Sequence, residues 1–229
     1  MTLLIDSWSK TQENGLVLYE KYPMLNLATD GRSEVSKFAK FCDFKGIVLD
    51  VGSGLQVPYY LRNNSCIELG VGIDPLVKKS SDLDNVKLVK AIGEKMPFRD
   101  EIFDCISFAT SFDHVIDPYS VLKETYRMLK KDGIAIFWVE AEYSRKTPFY
   151  KKIVRKLIKK TVSEDVANAI RNQAIIASSL EHPKNSIDKF HLRHIKHIEF
   201  ISLASSVGFK KIKEEYHSDF DSVFLKFEK

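Results

Sequence analysis

The chain has 229 residues, of which 44% are hydrophobic and 29% charged, and its formal net charge is +4. These values are typical of a folded globular protein, exclude extended disorder and call for no polyanionic partner. Cys42, Cys66 and Cys105 form no CxxC pair, which argues against a disulfide framework and a cysteine zinc site. The N-terminus lacks the pattern of a signal peptide and no apolar run reaches the ~20 residues of a membrane span, so we expect a cytoplasmic protein.

Short β-branched runs alternate with helical patterns over the first two thirds of the chain. The predicted strands are Gly46–Val51, Leu69–Asp74, Val86–Ala91, Phe103–Ala109 and Gly133–Glu140. Between the last two, apolar residues recur at helical spacing over Pro118–Lys131, and Asp132-Gly133 supplies the stop. Strand–helix–strand alternation predicts a parallel sheet covered by helices on both faces.

The end of the chain predicts a different connection. A short helix over Glu199–Val207 is followed by strands at Phe209–His217 and Ser222–Phe227. Two strands joined by so short a turn must pair antiparallel. The predicted fold class is therefore α/β, a doubly wound, Rossmann-like sheet of seven strands, five parallel and two in a C-terminal antiparallel hairpin, with an inserted helical cap.

We expect one domain, with an N-terminal helical segment at 1–44, a core at 45–140, a helical cap at 141–190 and a C-terminal helix and hairpin at 191–229. Within the cap, residues 145–160 hold eight basic residues and no acid, with apolar residues at helical spacing. A solvated cap helix and a peripheral contact with an anionic membrane both fit this segment. Nucleic-acid binding fits less well, because the overall charge is mild and no RNA-binding module is present.

The most informative segment is VLDVGSGLQ, residues 48–56. A buried strand ends in Asp50, and Gly52-Ser53-Gly54 then turns the chain, since glycine lets the backbone approach a ligand closely. The next strand ends in Asp74, whose carboxylate can accept hydrogen bonds from a ribose diol. Both sites neighbour the switch point at which open α/β sheets bind their ligands.

On these residues the chain resembles the class I S-adenosylmethionine-dependent methyltransferases, most closely over residues 45–140. VLDVGSG is similar to the first motif of that family and GIDP to the second, and GEKMPF, FDCISFATSFDHVIDP and LKETYRMLKKDGIAIF resemble the segments that follow. The resemblance implies S-adenosylmethionine as the cofactor and a small-molecule acceptor that is polar, with an oxygen of a sugar or glycan precursor as our first expectation.

The resemblance also implies a cofactor site. Asp50 would fix the glycine turn and contact the methionine end of the cofactor, Asp74 would bind the ribose hydroxyls, and Pro75-Leu76 would lie beside the adenine. The full implied set is Asp50, Gly52, Ser53, Gly54, Asp74, Pro75, Leu76, Gly93, Glu94 and Ala109. The chain departs from the family pattern at Gln56, where a third glycine is common, and at Ile92, where an adenine-binding Asp is common. The adenine amino group is then left to backbone atoms or to Glu94.

The candidate catalytic residues are Asp113 and His114, in the turn after the fourth strand, with His114 as a general base. Capping or packing of the next helix is the competing interpretation of His114.

HLRHIKH, residues 191–197, resembles a segment of methyltransferases from sugar and glycan pathways. This resemblance implies that His191, Arg193 and His194 face the acceptor. A solvated basic turn fits the segment as well. No metal site is predicted at His191, His194 and His197, because residues i, i+3 and i+6 do not all share one helix face and no carboxylate or cysteine is interleaved.

Two other functions stay open at this point. One is a non-catalytic protein that binds S-adenosylmethionine, since a fold does not prove a reaction. The other is a nicotinamide-dependent oxidoreductase, which also pairs a glycine turn with an acid. Its G-x-G-x-x-G fingerprint, however, requires a third glycine at the position of Val57.

Overall fold

A computed structural model of the chain describes residues 2–23, 33–62, 64–78, 82–83, 85–141, 172, 175–176, 178–218 and 221–229. Its α-helices are α1 (Thr2–Lys21), α2 (Ser33–Cys42), α3 (Pro118–Met128) and α4 (His197–Val207), and single 3₁₀ turns cover Tyr59–Leu61 and Phe112–His114. The basic segment at 145–160 lies outside the described residues, and so do its alternative interpretations as a solvated cap helix and as a membrane contact. Within the expected cap at 141–190, the described residues 172, 175–176 and 178–179 are helical. Within the described ranges, none of the helices combines the length and the apolar character that a bilayer span requires.

The strands form one sheet that matches the predicted topology. They are β1 (Gly46–Val51), β2 (Ile67–Ile73), β3 (Asp82–Leu83), β4 (Val86–Val89), β5 (Phe103–Ala109), β6 (Leu129–Glu140), β7 (Lys210–His217) and β8 (Ser222–Glu228). Their order is β3-β4-β2-β1-β5-β6-β8-β7. β4, β2, β1, β5 and β6 run parallel, and β8 and β7 add an antiparallel hairpin, so the predicted fold class is confirmed. The strand beyond the predicted seven is β3, whose two residues are too few to carry a periodic pattern.

Helices on both faces bury the sheet. Successive residues of a strand point to opposite faces, so Leu49 and Phe137 belong to the hydrophobic cluster under α3 and α4, whereas Val48 and Ile136 belong to the cluster under α2. Because both faces are packed, the register of the strands is fixed.

The helix α3 ends at Met128, earlier than the pattern of apolar residues predicts. Its last carbonyls are taken by the chain that enters β5: the backbone N–H of Glu101 donates to Arg127 at 3.1 Å and that of Ile102 to Met128 at 2.9 Å. With these carbonyls satisfied from outside the helix, the chain leaves the helix at Leu129 and β6 begins there.

The strand β7 forms one edge of the sheet, and most of its side chains are exposed. It carries alternating ion pairs along its length, with Lys211 Nζ 2.6 Å from Glu214 and Lys213 Nζ 2.8 Å from Glu215. Exposed pairs of this kind contribute little to stability, about 0–1 kcal/mol each, so their effect is mainly to keep this edge charged.

Candidate functional site

A cavity of about 290 Å³ lies at the carboxyl edge of the parallel strands. Its walls come from the loops after β1, β2, β4 and β5, from one face of α1 and from the segment before α4. This is the edge at which open α/β sheets bind their ligands. The residues in its wall that the sequence singles out are Gly52, Gly54, Asp74, Pro75, Leu76, Gly93, Glu94, Ala109, Asp113, His114 and His191.

The glycine turn after β1 requires glycine at two positions. Gly52 and Gly54 have φ angles of 79° and 77°, which side-chain-bearing residues rarely adopt. A Cβ at Gly52 would also lie 2.3 Å from the Cβ of Ser111 in the loop after β5. The turn is held to β2 by the backbone N–H of Gly52, which donates to the carbonyl of Ile73 at 2.8 Å.

The carboxylate of Asp74 fixes the other side of this turn. One oxygen accepts the backbone N–H of Gly54 at 2.9 Å, and the other accepts that of Leu76 at 2.8 Å. Burial raises the pKa of Asp74, and these two hydrogen bonds oppose that shift. Each carboxylate oxygen has a second lone pair, so a hydroxyl in the cavity can still donate to Asp74.

Asp50 lies below the cavity and outside its wall, with no exposed surface. Its carboxylate accepts the hydroxyl of Tyr60 at 2.8 Å and that of Ser107 at 2.6 Å. Burial, opposed by these two hydrogen bonds, raises the pKa of Asp50 from 3.8 to about 7. The bond to the glycine turn that the sequence assigns to Asp50 is made by Asp74 instead. Asp50 supports Tyr60, which does line the cavity.

Three more of the predicted residues lie outside the cavity wall. Ser53 is buried, and its hydroxyl has no hydrogen-bond partner in the described part of the chain. Arg193 donates through Nη2 to the carbonyl of Ile116, so it braces the turn that follows His114. The Nδ1 atom of His194 lies 3.3 Å from the carboxylate of Glu140.

His191 meets Asp113 and His114 in the cavity, although it comes from a distant part of the sequence. The centroids of the two imidazole rings are 4.7 Å apart. His114 Nε2 is 3.7 Å from Asp113 Oδ1, and His191 Nε2 is 3.6 Å from Asp113 Oδ2. Both distances exceed the hydrogen-bond range of about 2.7–3.2 Å. The carboxylate therefore faces both ring nitrogens without bonding to either.

The opposite nitrogen of each ring has a partner. His114 Nδ1 lies 3.0 Å from the carbonyl of Phe190, to which it must donate, so the lone pair of the neutral ring is on Nε2. His191 Nδ1 lies 2.9 Å from Asp188 Oδ2. Burial lowers the pKa of His114, and this effect outweighs the attraction of Asp113, which raises the pKa. His114 is therefore a neutral imidazole at neutral pH.

The helix α1 supplies a wall that the sequence analysis does not assign. Its contribution is Trp8, Thr11, Gln12, Gly15, Leu18 and Tyr19. Their recurrence every three or four residues marks one helix face and is the signal that the sequence contains. Trp8 Nε1–H donates to the carbonyl of His114 at 2.9 Å. Burial, with the charges of Asp74 and Asp113, raises the pKa of Tyr19 to about 12.

Residues 49–137 match the family model described as a methyltransferase domain. The ubiquinone/menaquinone biosynthesis C-methyltransferase UbiE of Marinomonas sp. is 40% identical over 83 residues, which are 36% of this chain and 32% of that protein. The match thus spans about a third of the length of this curated relative.

Two solved structures share the fold over most of the chain. One is a SAM-dependent methyltransferase from Thermotoga maritima, with a TM-score of 0.58 and 20% identity over 96% of this chain and 98% of that chain. The other is the 1,6-didemethyltoxoflavin-N1-methyltransferase of Burkholderia thailandensis, solved with 1,6-didemethyltoxoflavin and S-adenosylhomocysteine bound. Its TM-score is 0.59 and its identity 10%, over 96% of this chain and 86% of that chain. At these identities the likeness is one of fold.

Proposed function

We propose that this chain, in which residues 49–137 match a methyltransferase domain of the class I fold, transfers the methyl group of S-adenosylmethionine to a small polar acceptor. The observation that carries the proposal is one continuous cavity at the carboxyl edge of the sheet. The glycine turn and Asp74 lie on one side of it, and Asp113, His114 and His191 lie on the other. A cofactor half and an acceptor half are then adjacent, as an in-line displacement requires.

In the proposed complex, Asp74 accepts hydrogen bonds from the ribose hydroxyls through the lone pairs that its two backbone bonds leave free. Pro75 and Leu76 form the wall beside the adenine. Glu94 accepts the backbone N–H of Asp117 at 3.2 Å through one oxygen, and its other oxygen can accept the adenine amino group. The backbone of the glycine turn lies beside the methionine end.

When bound, S-adenosylmethionine would supply a methyl group on its sulfonium. An acceptor oxygen or nitrogen would bond to the methyl carbon as the carbon–sulfur bond breaks, with S-adenosylhomocysteine as the leaving group, and the acceptor would give up a proton. His114 Nε2 and the carboxylate of Asp113 are the groups that can take this proton. Orientation in such a site is worth about 7–11 kcal/mol of the barrier, and a base adds roughly 10²–10⁴-fold.

The first candidate for the acceptor atom is an oxygen of a sugar or glycan precursor, because a hydroxyl benefits from the proton acceptor that this cluster supplies. The second candidate is carbon methylation in quinone biosynthesis, the activity named for the relative UbiE. The aromatic part of the wall, formed by Trp8, Tyr19 and Trp138, favours this second candidate, since aromatic side chains can stack on a ring-shaped acceptor. Transfer of a radiolabelled methyl group to sugar hydroxyls and to quinols separates the two.

Calorimetric binding of S-adenosylmethionine and S-adenosylhomocysteine tests the cofactor half. We expect Asp74→Asn to weaken both affinities by at least about tenfold, because a hydrogen bond to a charged group contributes about 1.5–3 kcal/mol. Asp104→Asn is the matched control. Asp104 also accepts a backbone N–H, that of Ile47 at 2.8 Å, but it lies at the amino ends of the parallel strands, away from the cavity. Its affinities are expected to stay within about twofold of wild type.

A folded wild-type chain that binds neither ligand would remove the proposal. Binding of both ligands without methyl transfer to any acceptor class would favour the non-catalytic S-adenosylmethionine-binding protein instead. A cooperative thermal unfolding transition, measured for each variant by circular dichroism, establishes that the variants compared are folded.

A further inference from the structure

Three side chains in the cavity direct their ligand atoms toward one another without bonding. A carboxylate oxygen of Asp113 and one ring nitrogen from each of His114 and His191 all lie within 4.8 Å of one another. Asp113 Oδ1 is buried, and no described residue donates a hydrogen bond to it. A buried carboxylate oxygen without a donor is costly, so the arrangement favours an occupant between the three groups.

We infer that Asp113, His114 and His191 bind a divalent transition-metal ion, with Zn²⁺ as the first ion to test. Two imidazole nitrogens and one carboxylate oxygen are the ligand set of open, catalytic zinc and iron sites. Mg²⁺ and Ca²⁺ prefer oxygen ligands alone, which this cluster does not offer. Three protein ligands leave at least one coordination position for an exogenous oxygen.

The spacing of the ligand atoms fits such an ion. Bonds of about 2.0–2.2 Å at the tetrahedral angle place two ligand atoms about 3.4 Å apart. His114 Nε2 lies 3.7 Å from Oδ1 of Asp113 and His191 Nε2 lies 3.6 Å from Oδ2, each a few tenths of an ångström longer. With one ligand atom taken from each residue, the three atoms lie within 4.8 Å of one another, so an ion would draw the three side chains closer together.

The groups behind the two histidines support the same inference. Histidines that bind metals usually donate their other ring N–H to a carboxylate or a backbone carbonyl, which orients the ring and fixes its tautomer. His191 has Asp188 in this position at 2.9 Å, and His114 has the carbonyl of Phe190 at 3.0 Å. Both Nε2 atoms are thereby left as lone-pair donors toward Asp113.

This ligand set differs from the three histidines at 191, 194 and 197, at which the sequence predicts no metal. His194 is directed to Glu140, at 3.3 Å, and His197 is the first residue of α4. The carboxylate missing from that segment comes from Asp113, which the fold brings to His191 from the turn after β5.

The role of the ion rests on the proposed function, whereas its binding does not. An acceptor hydroxyl bound at the open position would have its pKa lowered by the cation, so that it loses its proton more readily. The ion, rather than a free imidazole, would then prepare the oxygen that attacks the methyl carbon, and the proton would pass to solvent. The acceptor class would be a hydroxylated small molecule.

The test titrates the chelator-treated, full-length chain with Co²⁺, followed by its visible absorption, and with Zn²⁺, followed by calorimetry. We expect one equivalent to bind. Asp113→Asn and His191→Gln are expected to weaken binding at least about 100-fold, since loss of the partner behind a ligand already costs about 10–100-fold. Asp188→Asn removes that partner and should weaken binding about tenfold or more. His182→Gln is the matched control, because His182 is an exposed histidine whose Nε2 lies 3.2 Å from the carbonyl of Ser186.

Failure to bind one equivalent of either ion, or equal binding by wild type and Asp113→Asn, would overturn the inference even if a His191 variant failed to fold. Calorimetry with S-adenosylhomocysteine on the same samples keeps the two proposals separate. Zn²⁺ binding without S-adenosylhomocysteine binding would leave the ion site standing and remove the methyl transfer. S-adenosylhomocysteine binding without Zn²⁺ binding would do the reverse.

Discussion

Asp50 lies near the end of β1 and Asp74 directly follows β2, but the two carboxylates have different surroundings and different roles. Asp74 bonds to the backbone of the glycine turn and borders the cavity, while Asp50 is enclosed by Tyr60 and Ser107. The sequence places both acids at the correct edge of the sheet because strand ends follow from local patterns. It does not distinguish their roles, since these depend on which hydroxyls lie across the neighbouring strands.

The enclosed carboxyl of Asp50 makes stability depend on pH. The folded chain keeps this proton up to about pH 7, whereas an unfolded carboxyl with a pKa of 3.8 releases it earlier. Between these values the folded state binds more protons, so this group lowers stability as pH rises, by at most about 1.4 kcal/mol per pH unit. Asp50→Asn should therefore gain in free energy of unfolding relative to wild type from about pH 4 to pH 7 and stay level above it.

Urea denaturation at a series of pH values measures this difference. Asp104→Asn is the control. Burial acts to raise the pKa of Asp104, but its hydrogen bonds from Lys130 and from the backbone N–H of Ile47 lower that pKa by more. Asp104 therefore stays ionised over the same pH range. Parallel stability curves for Asp50→Asn and wild type would contradict the prediction.

The cluster of Asp113, His114 and His191 marks the limit of sequence reasoning at the residue scale. Asp113 and His114 are predictable because they follow a recognisable strand. Their contact with His191 joins two distant segments, and it depends on how the chain before α4 packs against α1. No local period encodes that contact.

At the scale of elements, the helix α1 holds the segment that carries His191 in place beside the cavity. Asn14 is buried in this helix, and its side-chain amide donates to the carbonyl of Glu181 at 2.9 Å and to that of Lys189 at 2.7 Å. The side chain of Asn14 thus joins the helix to two points of the segment that carries His191. The strands of the sheet follow from their β-branched runs, but this helix–loop contact has no such signature.

Replacing Asn14 with Leu should destabilise the chain by about 1–3 kcal/mol or more, because two backbone carbonyls lose their donor. Urea denaturation measures the free energy of unfolding. On the exposed face of the same helix, Lys10→Gln removes surface ion pairs to Glu13 and Glu181 and should cost no more than about 1 kcal/mol. Equal losses in the two variants would show that the contact of Asn14 is not structural.

At the scale of the whole molecule, the alternation of strands and helices predicts the fold class correctly, and the motifs lie within the residues that match a methyltransferase domain. A doubly wound sheet needs little more than that alternation, since right-handed crossovers fix most of the topology. The sequence predicts neither the edge strand β3 nor the early end of α3. Both depend on hydrogen bonds from other segments of the chain, which no local pattern shows.

If the proposed cofactor binds, it should stabilise the entire domain. S-adenosylhomocysteine at about 100 times its Kd contributes about 2.7 kcal/mol, which corresponds to a rise in Tm of roughly 5–10 °C for a chain of this size. NADH at the same concentration is the matched ligand and should leave Tm unchanged. Thermal unfolding followed by circular dichroism makes the comparison, and a rise with NADH alone would favour the oxidoreductase instead.

The charged side chains of the edge strand β7 limit how folded copies of the chain can associate. A strand from a second copy could extend the sheet only by lying along eight residues that include three lysines and two glutamates, whose hydration would be lost. At the other edge, β3 offers a template of two residues. Strand addition is therefore disfavoured at β7 and has only a short described strand to follow at β3. Aggregates that grow by strand addition at β7 are therefore expected to begin from chains in which this edge has opened.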